Sequence, residues 1–131
     1  MMEFHFEHGS LPGSLELAYL GDTLYDLYVR ERLVAAGGRV QSMHVSAVHL
    51  VCAHAQSEAL GRIEPFLQEE ERSVVRRARN AHQSPPRNAD AAEYHRATGL
   101  EALLGYLYVT GRRERLDQLL SKALPADMIG K

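Results

Sequence analysis

Leu17-Ala18-Tyr19-Leu20-Gly21-Asp22 and Leu100-Glu101-Ala102-Leu103-Leu104-Gly105 are two apolar, helix-compatible stretches, each carrying one acid with a glycine beside it or on its face. A charged group rarely enters a packed helix face unless something pairs with it or coordinates it. Residues three or four apart share a helix face, so Ala18 neighbours Asp22, Thr98 neighbours Glu101, and Glu101 neighbours Gly105. Each glycine costs its helix about 1 kcal/mol relative to alanine, and a close helix crossing is the simplest offsetting gain. If the two helices cross there, Asp22 and Glu101 meet in a small acid-lined notch. Two carboxylates that close would push one pKa up unless a cation held both ionised, and oxygen ligands with water completing the shell suit Mg²⁺. Spacing alone leaves a second reading open, in which each acid is a boundary residue on a mostly apolar helix.

Working outward from these stretches, the pattern predicts an all-α chain. After Pro12-Gly13 a first helix starts near Ser14, a good N-cap residue, and carries Leu17, Leu20, Leu24, Leu27 and Tyr28 on one face until Gly37-Gly38 stops it. A second helix is expected from Met43 to about Ile63, with Val45, Val48, Cys52, Ala55 and Ala59 as its stripe. Past Pro65, Glu69-Glu70-Glu71 opens a third helix ending near Asn80, with Arg76, Arg77 and Arg79 in its last turns, where cations complement the helix dipole. Pro85-Pro86 forbids helix in the loop His82 to Asn88. A fourth long helix is expected from about Ala89 to Tyr108, closed by Gly111. A fifth, Arg113 to Leu124, carries Leu116, Leu119, Leu120 and Leu124 on one face.

The 131 residues, 45 % hydrophobic and 24 % charged, suit a single globular domain over 1–131 that buries its own core. A single cysteine, Cys52, excludes an internal disulfide and is expected as a buried, inert thiol. The first eight residues, with Glu3, Glu7, His5 and His8, do not form a signal peptide, and no apolar run approaches the ~20 residues of a membrane span. These features point to the cytoplasm. His44, His49 and His54 recur every five residues, which scatters them around a helix rather than grouping them as zinc ligands. Asp26 reads as a boundary acid, and Tyr19, Tyr25, Tyr28, Tyr106 and Tyr108 as core or interface aromatics.

Net charge is −2, yet six arginines (72, 76, 77, 79, 87 and 96) face only Asp90 and Glu93 between residues 72 and 96, a local +4 that leaves −6 for the rest. Such segregation is the footprint of a polyanion-binding patch on an acidic body, and a solvated helix face is the bland alternative.

Leu20-Gly21-Asp22-Thr23-Leu24 resembles the signature helix of ribonuclease III nuclease domains, and Leu100 to Tyr108 resembles that family's second acidic motif. The short Mini-ribonuclease III subfamily is more similar still, through Leu17 to Asp22, Arg79-Asn80-Ala81, and Leu107-Tyr108-Val109-Thr110-Gly111, over roughly residues 15 to 124. The resemblance implies an all-α nuclease fold, a homodimer, Mg²⁺ and hydrolysis of double-stranded RNA. It assigns Asp22 and Glu101 as catalytic and metal-binding acids. Longer relatives carry two more carboxylates, at the positions of Ala18 and Thr98, and the Mini subfamily shares their loss.

No separate double-stranded-RNA-binding domain fits the chain's length, so the nuclease domain is expected to hold its own RNA. Arg77, Arg79, Asn80, His82, Arg87 and Asn88 offer phosphate and 2′-hydroxyl partners suited to reading A-form shape. The expected reaction is metal-assisted hydrolysis giving 5′-phosphate and 3′-hydroxyl ends, on a precursor of large-subunit ribosomal RNA, with a ribosomal protein as a further partner. The rival from another class is a non-catalytic RNA-binding or ribosome-assembly module on the same fold.

Overall fold

The structure, a computed structural model, describes residues 2–6, 10–81 and 83–129. Six α-helices follow in chain order: α1 (Ser14–Ala36), α2 (Val40–Val51), α3 (Ala53–Ile63), α4 (Glu69–Arg79), α5 (Ala91–Val109) and α6 (Arg113–Ala123). Among the described residues no strand is present. Gly37 and Gly38 end α1 with φ of +84° and +119°, a conformation that only a residue without Cβ adopts at no steric cost. Gln68 and Glu71 close a capping box at the start of α4, and the Asp90 side chain accepts from the Glu93 N–H to open α5.

Helix α5 is the axle. Of residues 97–109 only Glu101 keeps partial exposure, and α1, α3, α4 and α6 all pack around the rest. Leu100, Leu103, Leu104 and Leu107 are fully buried, each contributing roughly 2 kcal/mol of transfer free energy. Polar ties anchor the C-terminal end of α6 to the bundle: Tyr28 Oη donates to Leu124 O at 2.9 Å, and Arg62 Nε donates to Ala123 O at 2.7 Å.

Four sequence expectations need correction. The second helix is two: Cys52, with extended backbone at φ −67° and ψ 162°, separates α2 from α3. Cys52 is exposed rather than buried, as are Val45 and Val48, and the buried positions are Ala47 on α2 and Gln56, Ser57, Ala59, Leu60 and Ile63 on α3. The break rotates the two halves independently, so one stripe drawn through both misassigns the first. On α1 the packed face is Leu17, Ala18, Gly21, Tyr25, Tyr28, Val29 and Leu33, while Leu27 is exposed and Leu20 and Leu24 lie on the flank. Finally, the N-cap of α1 is Gly13 rather than Ser14, with no side-chain cap.

Candidate active site

The α1–α5 crossing is the most extensive interface in the molecule, and it depends on its two glycines. A Cβ on Gly21 would fall inside the backbone carbonyl of Glu101, and one on Gly105 inside the carbonyl of Leu17. No larger residue fits at either point without moving a helix. This close approach sets Asp22, the residue after Gly21, opposite Glu101, near enough for each carboxyl group to act on the other. They line a cleft of about 300 Å³ together with Leu15, Ala18, Tyr19, Gln56, Tyr94 and Thr98 among others.

The two acids sit in different surroundings. Asp22 is exposed, whereas Glu101 is half-buried and no cationic side chain of the described residues pairs with it. Burial, then hydrogen bonding of the protonated Glu101 to the Asp22 carboxylate, then the Asp22 charge push the Glu101 pKa up to about 8, and only the Gln56 amide works in the other direction. Gln56 Nε2 lies 3.3 Å from Glu101 Oε2. At neutral pH the pair therefore holds a proton that a divalent cation would displace. Two carboxylates, one poised to lose a proton, are a donor set that suits a hard cation. Among the described residues no cluster of three or more His, Cys, Asp or Glu side chains forms a fuller ligand cage. Ala18 and Thr98 do line the cleft, but Ala18 offers no donor, and the Thr98 hydroxyl is spent on Tyr94 O at 3.0 Å within its own helix.

Asp26 stands apart from this pair, bound to Arg30 one turn on at 3.0 Å. Tyr25 and Tyr28 are buried in the core, while Tyr19 is 84 % exposed at the cleft and so is no core aromatic. His54 bridges Glu58 on its own helix and Glu93 at the start of α5.

The arginine cluster divides in two. Arg96 is a structural tie, with Nε donating to Ser57 Oγ at 2.9 Å and Nη2 to Glu64 Oε1 at 2.8 Å. Arg77, Arg79, Asn80, Arg87 and Asn88 are exposed, and among the described residues the three arginines of this set form no ion pair. His82 lies outside the described residues. Arg79 packs its stem against Gly99, where a Cβ would come within 2.9 Å of Arg79 Cγ, so the end of α4 is held two residues from Glu101. The following loop reaches the cleft through Gln83. Arg77, by contrast, lines a separate groove with Leu11, Ser14, Val74 and Tyr106.

Sequence reasoning passed over Gln56, Gln83 and Tyr94. For Gln56 a signal was there: it lies three and four residues before Ala59 and Leu60 and seven before Ile63, a polar residue on an apolar stripe.

The ribonuclease III domain family matches residues 15–112. A Mini-ribonuclease 3 of Symbiobacterium thermophilum is 50% identical over 117 residues, 88% of either chain. Another, from a Thermoanaerobacter species, is 44% identical over 81% of this chain and 76% of its own length. A crystal structure of a Fusobacterium nucleatum protein, 30% identical, superposes with a TM-score of 0.78 over 83% of this chain and 85% of that one. The all-α architecture, the glycine-dependent crossing and these matches agree: this chain belongs to the ribonuclease III family of endoribonucleases, in its Mini-ribonuclease 3 branch.

Proposed function

We propose that this protein is a Mg²⁺-dependent endonuclease of double-stranded RNA, with Asp22 and Glu101 as its catalytic, metal-holding acids and a precursor of large-subunit ribosomal RNA as its substrate. The observation that carries this reading is the α1–α5 crossing, where two carboxylates share a cleft with no cation among the described residues to balance them. Asp22 and Glu101 would hold a divalent ion there, which would supply charge neutralisation and an activated water for attack on a phosphodiester, with 5′-phosphate and 3′-hydroxyl ends as the expected products. Asp22, exposed at the mouth, offers its oxygens to solvent and phosphate.

The RNA is held by the end of α4 and the loop beyond it. Arg77, Arg79, Asn80, Arg87 and Asn88 present unpaired donors, and His82 belongs to the same stretch of chain. Donors on a convex helix end suit phosphates and 2′-hydroxyls across a shallow minor groove, which reads A-form shape more than sequence. A twofold homodimer would carry two such clefts and cut both strands of a duplex in a staggered pair. A ribosomal protein that shapes the precursor, and a cytoplasmic setting, complete this reading.

The test is cleavage of a labelled duplex from a structured ribosomal RNA precursor, with Mg²⁺ and with EDTA, by wild type and Asp22→Asn. Asp22→Asn should lose at least about a hundredfold in cleavage rate while keeping its circular dichroism and its RNA affinity. Wild-type cutting by that variant removes Asp22 from the chemistry. Binding without cutting by the wild type itself favours the non-catalytic module.

A further inference from the structure

Gln56 is a polar side chain that the bundle did not need to bury. It is 3% exposed, on the α3 stripe that continues as Leu60 and Ile63, where an apolar residue of similar size would pack at no polar cost. Its two amide protons have defined destinations. Nε2 donates to Val51 O at 2.9 Å and to Glu101 Oε2 at 3.3 Å. Its Oε1 is buried with no hydrogen-bond partner among the described residues, a deficit of about 1–3 kcal/mol that a core side chain chosen for stability alone would avoid.

The Val51 contact shows how the amide is held. Val51 ends α2, and the extended backbone of Cys52 breaks the helix there, so the Val51 carbonyl has lost the continuous helix that would have satisfied it. Gln56, one turn into α3, supplies the missing donor. The amide is thereby pinned at one edge by backbone, and its remaining proton is aimed at the carboxylate of α5. A Glu101 side chain left alone has three torsions to choose among, and Asp22 would drive the charged form away from the cleft.

We propose that Gln56 is a positioning residue: the helix break at Cys52 orients its amide, and the amide holds the Glu101 carboxylate toward Asp22 in the arrangement that receives the divalent cation. The inference rests on the reading of Asp22 and Glu101 as the metal-holding pair. It adds that the pair is completed by a neutral donor on a third helix rather than by further carboxylates, which fits a cleft where Ala18 and Thr98 supply none.

The test measures Mn²⁺ binding to the full chain by electron paramagnetic resonance, for wild type, Gln56→Met, Asp22→Asn and Glu101→Gln, with thermal midpoints taken alongside. Gln56→Met keeps length and volume and removes both donors. It should bind Mn²⁺ about 10- to 100-fold more weakly than wild type, the usual consequence of losing a partner that orients a ligand. Its thermal midpoint should change little, because removal of the orphaned Oε1 offsets the Val51 carbonyl that loses its donor. A purely structural Gln56 would give the reverse, a lowered midpoint with unchanged Mn²⁺ affinity, and that result overturns the proposal. If Gln56→Met does not fold, Gln56→Asn, too short to reach Glu101 from the same backbone, is judged by the same affinity criterion. Wild-type affinity in Asp22→Asn and Glu101→Gln would sink the metal-pair reading and this inference with it. Lost affinity in those two, with Gln56→Met unchanged, would sink the role of Gln56 alone.

Discussion

Glu71 and Glu101 are two glutamates of one helical bundle, the first buried and the second half-buried, and their pKa values move in opposite directions. Glu71, on α4, is fully inaccessible, but Arg115 of α6 grips it with Nε to Oε2 and Nη2 to Oε1, both at 2.8 Å, and the Gln68 N–H adds a third bond at 2.8 Å. Burial alone would raise its pKa; the Arg115 and Gln68 hydrogen bonds and the Arg115 charge outweigh it and hold the group below the usual carboxylate range. Glu101 is less buried, yet its neighbours are another acid and an amide, and its pKa climbs to about 8. The first acid is complete within the protein. The second has no cationic partner among the described residues. Burial by itself therefore does not single out an acid; the lack of a cationic partner is what sets Glu101 apart and what its proposed role rests on.

Three experiments break or sharpen this contrast. The largest effect is expected from Glu71→Ala, which strands the partly buried Arg115 guanidinium. Stability should fall by about 3 kcal/mol or more, read as a lowered urea midpoint, with the cleavage rate per folded molecule unchanged. A large loss of rate in that folded fraction would erase the distinction between the two acids. Next comes Gly21→Ala, whose added methyl would occupy the Glu101 carbonyl and push α1 off α5. The expected cost is about 2–3 kcal/mol, or roughly 10 °C in Tm, together with loss of cleavage because Asp22 and Glu101 separate. A variant that keeps both Tm and activity would mean that the crossing does not hold the acids together.

The smallest effect is the pH dependence of the metal-free protein. The folded pKa of Glu101 lies above the ordinary carboxylate value, so the folded state binds more protons between the two. Its contribution to stability is therefore full below about pH 4.5 and lost as pH rises through about 8. Each pKa unit of difference corresponds to about 1.4 kcal/mol. For Glu71 the sign reverses: its contribution is present above the ordinary carboxylate range and lost as pH falls through the lowered value. Thermal midpoints in EDTA from pH 5 to 9 should decline on the alkaline side for wild type and stay level for Glu101→Gln. Identical alkaline limbs in the two proteins would show that Glu101 carries no raised pKa.

Much of the fold was legible as punctuation. Pro12-Gly13 and Gly37-Gly38 bracket α1, the three glutamates 69–71 open α4, the two prolines 85 and 86 keep the loop open, and Gly111 closes α5, because each acts locally, the glycines and prolines through backbone and the glutamates through charge and capping at the helix start. The break at Cys52 had no such signal: neither Val51 nor Ala53 opposes helix, and the residue is pulled extended by where α2 and α3 must pack. The face of α1 was misassigned for a related reason. Leucines at 20, 24 and 27 and tyrosines at 25 and 28 give two overlapping stripes, and periodicity cannot choose between stripes of similar apolarity. The absent side chain of Gly21 chooses, since only that face lets α5 approach.

The candidate site divides the same way. Sequence alone determined that two acids lie beside glycines in apolar helices, and that arginines crowd the chain between residues 72 and 96, because spacing dictates which residues share a face within one helix. Only the tertiary structure decided that Asp22 faces Glu101, that Arg96 is consumed by Ser57 and Glu64 while Arg79 and Arg87 form no ion pair among the described residues, and that Gln56 reaches across from a third helix. Rotation of one helix against another is set by contacts distant in sequence, and no local pattern encodes it.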